Sequence, residues 1–85
     1  MDEYCVYIIK SLKHDLFYIG HTANITDRLK RHNENRSTYT RNKGPWELVI
    51  TKSCISKAEA YQLEMKLKGM KDSNKAINYL TKLNS

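Results

Sequence analysis

At 85 residues, with 15 Lys and Arg against 9 Asp and Glu and a formal net charge of +6, the chain has the length of one small domain, and residues 1–85 are read as a single unit with a modest core. Forty per cent hydrophobic residues and a single Pro exclude a disordered chain, and no apolar run approaches the roughly 20 residues that span a bilayer. The acidic start, Asp2-Glu3, and the short apolar run after it do not fit a signal peptide, and the expected location is the cytoplasm. Cys5 and Cys54 agree with that: they make neither a disulfide framework nor a zinc pattern and are read as inert, partly buried thiols.

Residues 4–10 are rich in aromatic and β-branched types and predict a first strand. Residues 11–15 are polar and turn-like, and 16–20 predict a second strand, so the two form a hairpin. Alternation puts Cys5, Tyr7 and Ile9 on one face of the first strand and Leu16, Tyr18 and Gly20 on one face of the second. Whether those faces coincide depends on a register that the sequence does not give. Asn24 is a good N-cap, with Asp27 in the first turn of a helix that ends near Asn33. Ile25 and Leu29 lie one turn apart toward the core; Arg28 and His32, also one turn apart, form the adjacent stripe.

Residues 34–44 predict a polar loop, and Pro45 leads into a third strand over 46–52, with Trp46 read as core. Ser56 and Glu59 are spaced as a capping box and open a second helix to about Lys68. Its apolar stripe is Ala60, Leu63, Leu67 and Met70, with Glu64 beside it. Residues 73–83 predict a last short helix carrying Ile77 and Leu80. The order β-β-α-β-α predicts an α+β fold: a three-stranded antiparallel sheet flanked by helices.

The positive charge is concentrated. Arg28, Lys30, Arg31, Arg36, Arg41 and Lys43 face only Glu34 in that stretch, with Tyr39 inside it and Trp46 just beyond. A basic stretch interleaved with aromatics is a footprint for a polyanion, most simply nucleic acid, although a solvated face would carry the same charge. The acidic residues are scattered, with no adjacent pair beyond Asp2-Glu3, which argues against a two-metal carboxylate cluster. Gly20, Gly44 and Gly69 are isolated, so there is no phosphate-cradling loop. What remains is a set of Tyr, Arg and His residues and one well-placed Glu. That set suffices for phosphodiester hydrolysis. A guanidinium matches the phosphate oxygens with two donors, Mg²⁺ needs only one or two carboxylates when water and phosphate complete its shell, and His or Tyr can take a proton from water.

Tyr18-Ile19-Gly20, preceded by Cys5-Val6-Tyr7 and followed by Thr22, Asn24-Ile25, Arg28, His32 and Glu64, resembles the GIY-YIG nuclease family over nearly the whole chain. Tyr39-Thr40-Arg41 and Pro45-Trp46-Glu47-Leu48 resemble its small stand-alone bacterial branch. Cys5 stands where the family's first motif has Gly, and the Asn that many members carry after the metal-binding Glu has two counterparts, Asn74 and Asn78.

The resemblance implies a DNA endonuclease dependent on Mg²⁺ or Mn²⁺. Arg28 clamps the transition state, Glu64 holds one metal ion, and Tyr7, Tyr18 and His32 position and deprotonate water. Arg31, Arg36, Arg41 and Lys43 contact the DNA backbone. Gly20 is read as keeping bulk from the phosphate or as ending its strand, and His14 and His21 as loop residues. DNA, double-stranded or branched, is the expected partner, and a protein partner for targeting is a further expectation. The competing readings are a non-catalytic nucleic-acid-binding module of the same fold and a partner-dependent nuclease subunit.

Overall fold

The computed structural model describes residues 4–36 and 38–84. Strand β1 (Tyr4–Ser11) turns into β2 (Phe17–Thr22), helix α1 (Ile25–Asn33) follows, and β3 (Trp46–Cys54) leads to α2 (Lys57–Gly69) and α3 (Ser73–Leu83). The sheet is antiparallel in the order β2-β1-β3, so β1, the most apolar strand, is central and β2 is an edge. The expected fold class holds. β3 runs two residues further than expected, to the buried Cys54.

The register answers the question that alternation left open. Tyr7 lies opposite Gly20 and Ile9 opposite Tyr18, so both tyrosines stand on one face of the sheet. Leu16 precedes β2 and is exposed, so it does not belong to that face. Tyr7, Ile9 and Trp46 pack there against Ile25 and Leu29 of α1. On the other face Val6 and Ile8 pack against Ala60 and Leu67 of α2 and Ala76 and Leu80 of α3. The pairing of β1 with β3 shifts between Ile8 and Ile9, whose partners are Ile50 and Leu48.

The helix starts follow the local chemistry. Asn24 Oδ1 accepts from the Asp27 N–H at 3.0 Å, and Ser56 Oγ from the Glu59 N–H at 3.1 Å. Asp72 caps α3 by accepting from the Asn74 and Lys75 N–H groups. The loop between α1 and β3 is pinned at several points. The Asn33 side chain bonds the backbone of Trp46 in both directions, Trp46 Nε1 donates to the Thr40 carbonyl, and Ser11 Oγ donates to the Lys43 carbonyl. Among the described residues no helix is long and apolar enough to cross a membrane.

Candidate active site

Tyr7 projects from the central strand toward α1, and its hydroxyl lies 2.9 Å from His32 Nε2. His32 Nδ1 lies 2.6 Å from Thr40 Oγ1, and all three side chains are 1% exposed. A buried polar chain of this kind is stable only when every member is satisfied, as here. Burial, reinforced by the Arg28 charge, lowers the His32 pKa below its ordinary range and favours the neutral ring. A neutral imidazole carries one proton. With it on Nδ1, Thr40 Oγ1 accepts it, and Nε2 accepts the Tyr7 O–H. Burial, with the Tyr18 and Glu64 charges also contributing, pushes the Tyr7 hydroxyl well above its ordinary range, so the phenol stays protonated.

One of the two purposes expected of Gly20 fails. β2 continues past it to Thr22, so it does not end the strand. A Cβ at Gly20 would stand 2.6 Å from the Tyr7 hydroxyl oxygen and 2.8 Å from the ring carbon that bears it. The glycine opens the space that the cross-strand Tyr7 phenol fills. Thr22 shapes the step from β2 into α1: its hydroxyl accepts from the Asn24 N–H and donates to the Asn24 carbonyl.

Tyr18 lies over this chain, its ring centroid 5.0 Å from that of His32 and 6.2 Å from that of Tyr7. Arg28 stands one turn before His32 on α1, half-buried. Its charge reaches both Tyr7 and His32, and among the described residues no acidic group pairs with it.

Glu64 approaches from α2, on the opposite face of the sheet. It is 7% exposed, in line with Ala60 and Leu67. Its Oε1 lies 2.7 Å from His21 Nδ1 and its Oε2 2.8 Å from Lys68 Nζ. An ionised carboxylate only accepts, so Nδ1 donates here. Lys68 Nζ also sits 5.9 Å from the Tyr18 ring centroid. The two halves therefore meet around the edge strand β2, whose alternate residues serve them: Tyr18 and Gly20 face α1, and His21 faces α2.

His21 corrects the expectation of a loop residue: it lies within β2 and touches Glu64. Thr40 and Lys68 are further residues of this cluster: the sequence gives Thr40 only as part of the family-like stretch Tyr39-Thr40-Arg41 and Lys68 only as the end of its helix, with no place in the site for either. For His21 a signal existed, because alternation continued past Gly20 puts residue 21 on the face opposite Tyr18. Asn74 and Asn78 both lie exposed on α3, and Asn78 lines a depression with Met70, Lys75, Tyr79 and Lys82, none of them a site residue. Within the basic stretch, Arg31 pairs with Asp27 at 3.2 Å and Arg36 with Glu34 at 2.9 Å, both on the surface. Arg41 and Lys43 are exposed and, among the described residues, without an ionic partner.

The donor set bears on the kind of metal it could hold. Among the described residues no three His, Cys, Asp or Glu side chains converge, which does not fit a closed zinc site. One buried carboxylate fits a hard cation that keeps water and substrate oxygens in most of its shell.

Residues 3–78 match the model of the GIY-YIG catalytic domain. The chain is 40% identical over 70 residues to a UPF0213 protein of Oceanobacillus iheyensis, covering 80% of each chain. It is 41% identical over 69 residues to the structure-specific endonuclease subunit SLX1 of Vanderwaltozyma polyspora, covering 72% of this chain but only 22% of that one. The solution structure of a UPF0213 protein from Bacillus halodurans superposes with a TM-score of 0.55 at 32% identity, covering 95% of this chain and 84% of that one. The chain therefore belongs to the GIY-YIG catalytic domain family.

Proposed function

We propose that the protein is an endonuclease that hydrolyses DNA phosphodiester bonds with Mg²⁺ or Mn²⁺ held at Glu64, through a one-metal mechanism. The observation that carries this reading is the convergence around β2 of three things: a buried Tyr7–His32 pair, a cation without an acidic partner at Arg28, and a buried carboxylate at Glu64. A bound ion would supply positive charge to the phosphate and its departing oxygen. The remaining work falls to side chains. Arg28 presents two donors to the non-bridging oxygens, where charge grows in the transition state. A water that donates to the Tyr7 hydroxyl gives up its proton there as the Tyr7 proton passes to His32 Nε2, and the Thr40 hydroxyl holds the opposite ring nitrogen. Tyr18 covers this pair and shields it from bulk water. His21 positions Glu64 by fixing one of its oxygens. Arg31, Arg36, Arg41 and Lys43 hold the DNA backbone. The resemblance implies 5′-phosphate and 3′-hydroxyl ends. A targeting partner belongs to the reading, because the similar SLX1 protein is named a subunit.

The test is cleavage of end-labelled single strands, duplexes, flaps and junctions with Mg²⁺, with Mn²⁺ and with EDTA. Cleavage with either ion and none in EDTA supports the reading. Binding without cleavage of any substrate under either ion would replace it with a non-catalytic nucleic-acid-binding module.

A further inference from the structure

Beside the active site, between β2 and the junction of α2 with α3, lies a pocket of about 420 Å³ lined by Phe17, Tyr18, Tyr39, Leu67, Lys68 and Lys71 among others. That volume lies within the roughly 300–1,000 Å³ of small-ligand sites. Its lining combines aromatic and apolar side chains with the two cations Lys68 and Lys71. Three features have no structural explanation of their own. The Tyr39 ring is 75% exposed, although the adjacent Thr40 is pinned in the interior. Tyr39 and Tyr18 lie with centroids 6.4 Å apart and planes tilted by 34°, an aromatic pair at the wall of the pocket. Lys71 holds a left-handed backbone with φ of 54°, a conformation that Gly or Asn adopts at less cost, so a long cation is kept where the turn alone would favour a smaller residue. The acidic residue at the pocket, Asp72, is committed to capping α3.

The pocket is continuous with the catalytic groups. Tyr18 lines it and lies 5.0 Å from His32, and Lys68 lines it and contacts Glu64. Because Tyr18 packs on the Tyr7–His32 pair and also lines the opening, a nucleotide seated here would adjoin the catalytic groups. A base inside a duplex is paired and stacked on both faces and cannot enter; an unpaired base can leave its strand and stack on an aromatic ring. We infer that this pocket seats one unpaired base adjoining the scissile phosphate, stacked on Tyr39 and Tyr18, with Lys71 meeting the next phosphate. The substrate class is thereby a DNA strand carrying an unpaired nucleotide at the cut, either single-stranded or at a single-strand/duplex junction. This inference rests on the nuclease reading for its meaning but is measured apart from it.

The experiment uses a single-stranded DNA oligonucleotide carrying 2-aminopurine and the matching duplex, both titrated with the full chain in EDTA so that nothing is cut. The expected result is quenching on binding the single strand. Tyr39→Ala should weaken single-strand binding about 10-fold or more, Tyr39→Phe should restore it, and duplex binding should stay within about twofold. Tyr39 is exposed, so its loss does not threaten the fold; circular dichroism of each variant confirms that. Single-strand binding by Tyr39→Ala equal to wild type, or an equal loss on duplex, overturns the pocket assignment. The same oligonucleotides are then given metal. Tyr39-dependent quenching with no cleavage under either ion keeps the pocket and overturns the nuclease. Cleavage of duplex and single strand alike, indifferent to Tyr39, keeps the nuclease and overturns the pocket.

Discussion

The two faces of the sheet handle charge in opposite ways. On the α1 face, Tyr7, His32 and Thr40 form a buried chain of neutral groups, each satisfied by its neighbour and each almost fully buried. On the α2 face, Glu64 is an ionic centre whose partners, His21 and Lys68, reach it from a strand edge and from a half-exposed helix position. In the proposed mechanism the difference separates two tasks. Groups that pass a proton must be held in one geometry, because a small error in distance costs rate steeply. A carboxylate that takes a cation and meets a phosphate must exchange partners, and ion pairs near the surface are weak enough to do so.

The comparison can be broken first on the α2 face. Glu64→Gln keeps the shape and loses the charge. It should lower the cleavage rate by about 10³-fold or more while DNA binding in EDTA persists or tightens, since a negative charge near phosphate is gone. Cleavage at the wild-type rate would remove Glu64 from the metal role. Arg28→Lys keeps the charge but loses the two-pronged donor, and should cost about 10²-fold in single-turnover rate. A rate within threefold of wild type would show that Arg28 acts as a point charge alone.

The α1 face should break through packing. Gly20→Ala drives a methyl group into the buried Tyr7 phenol. It should cost about 1–3 kcal/mol in urea unfolding and lower the rate at least about 10-fold, because the phenol must leave His32. Unchanged stability would mean that the Tyr7 ring has room to retreat.

The smallest effect is on acid stability. His32 has its pKa lowered by burial, so between that value and about 6.5 the unfolded chain binds the extra proton and the folded one does not. Stability contributed by the neutral ring is therefore full above about pH 6.5 and falls as pH drops below it, by at most about 1.4 kcal/mol per pH unit. Unfolding midpoints at pH 7.5 and 5.5 measure this. His32→Gln should be less stable throughout and should lose this part of the pH dependence; an identical slope in both proteins would assign the acid sensitivity elsewhere.

Much of this was legible because it is local. Asn24, Ser56 and the apolar spacing of Ala60, Leu63 and Leu67 set helix positions within a few residues of themselves, and the structure keeps them. The juxtaposition of Arg28 and His32 needs only helical spacing. What was not legible depends on contacts across the chain. The reason for Gly20 is the phenol on the neighbouring strand, which exists only in one register. His21 finds Glu64 43 residues away, so local alternation gives its face but nothing near it in sequence gives its partner. Thr40 sits in a run of polar residues and reads as solvent-facing; it is buried because His32 requires a partner for its second nitrogen.

The central claim is that the proton of the attacking water leaves through a protonated Tyr7 to a neutral His32. The most direct measurement is the single-turnover cleavage rate from about pH 5 to 9.5, with metal and DNA saturating. A limb that rises with pH, with its midpoint below about 6.5 because burial and Arg28 lower the His32 pKa, and then a plateau through pH 9 is the predicted profile. A rate that keeps climbing about tenfold per unit beyond pH 8 would mean that a preformed Tyr7 phenolate is the base, and would contradict the account.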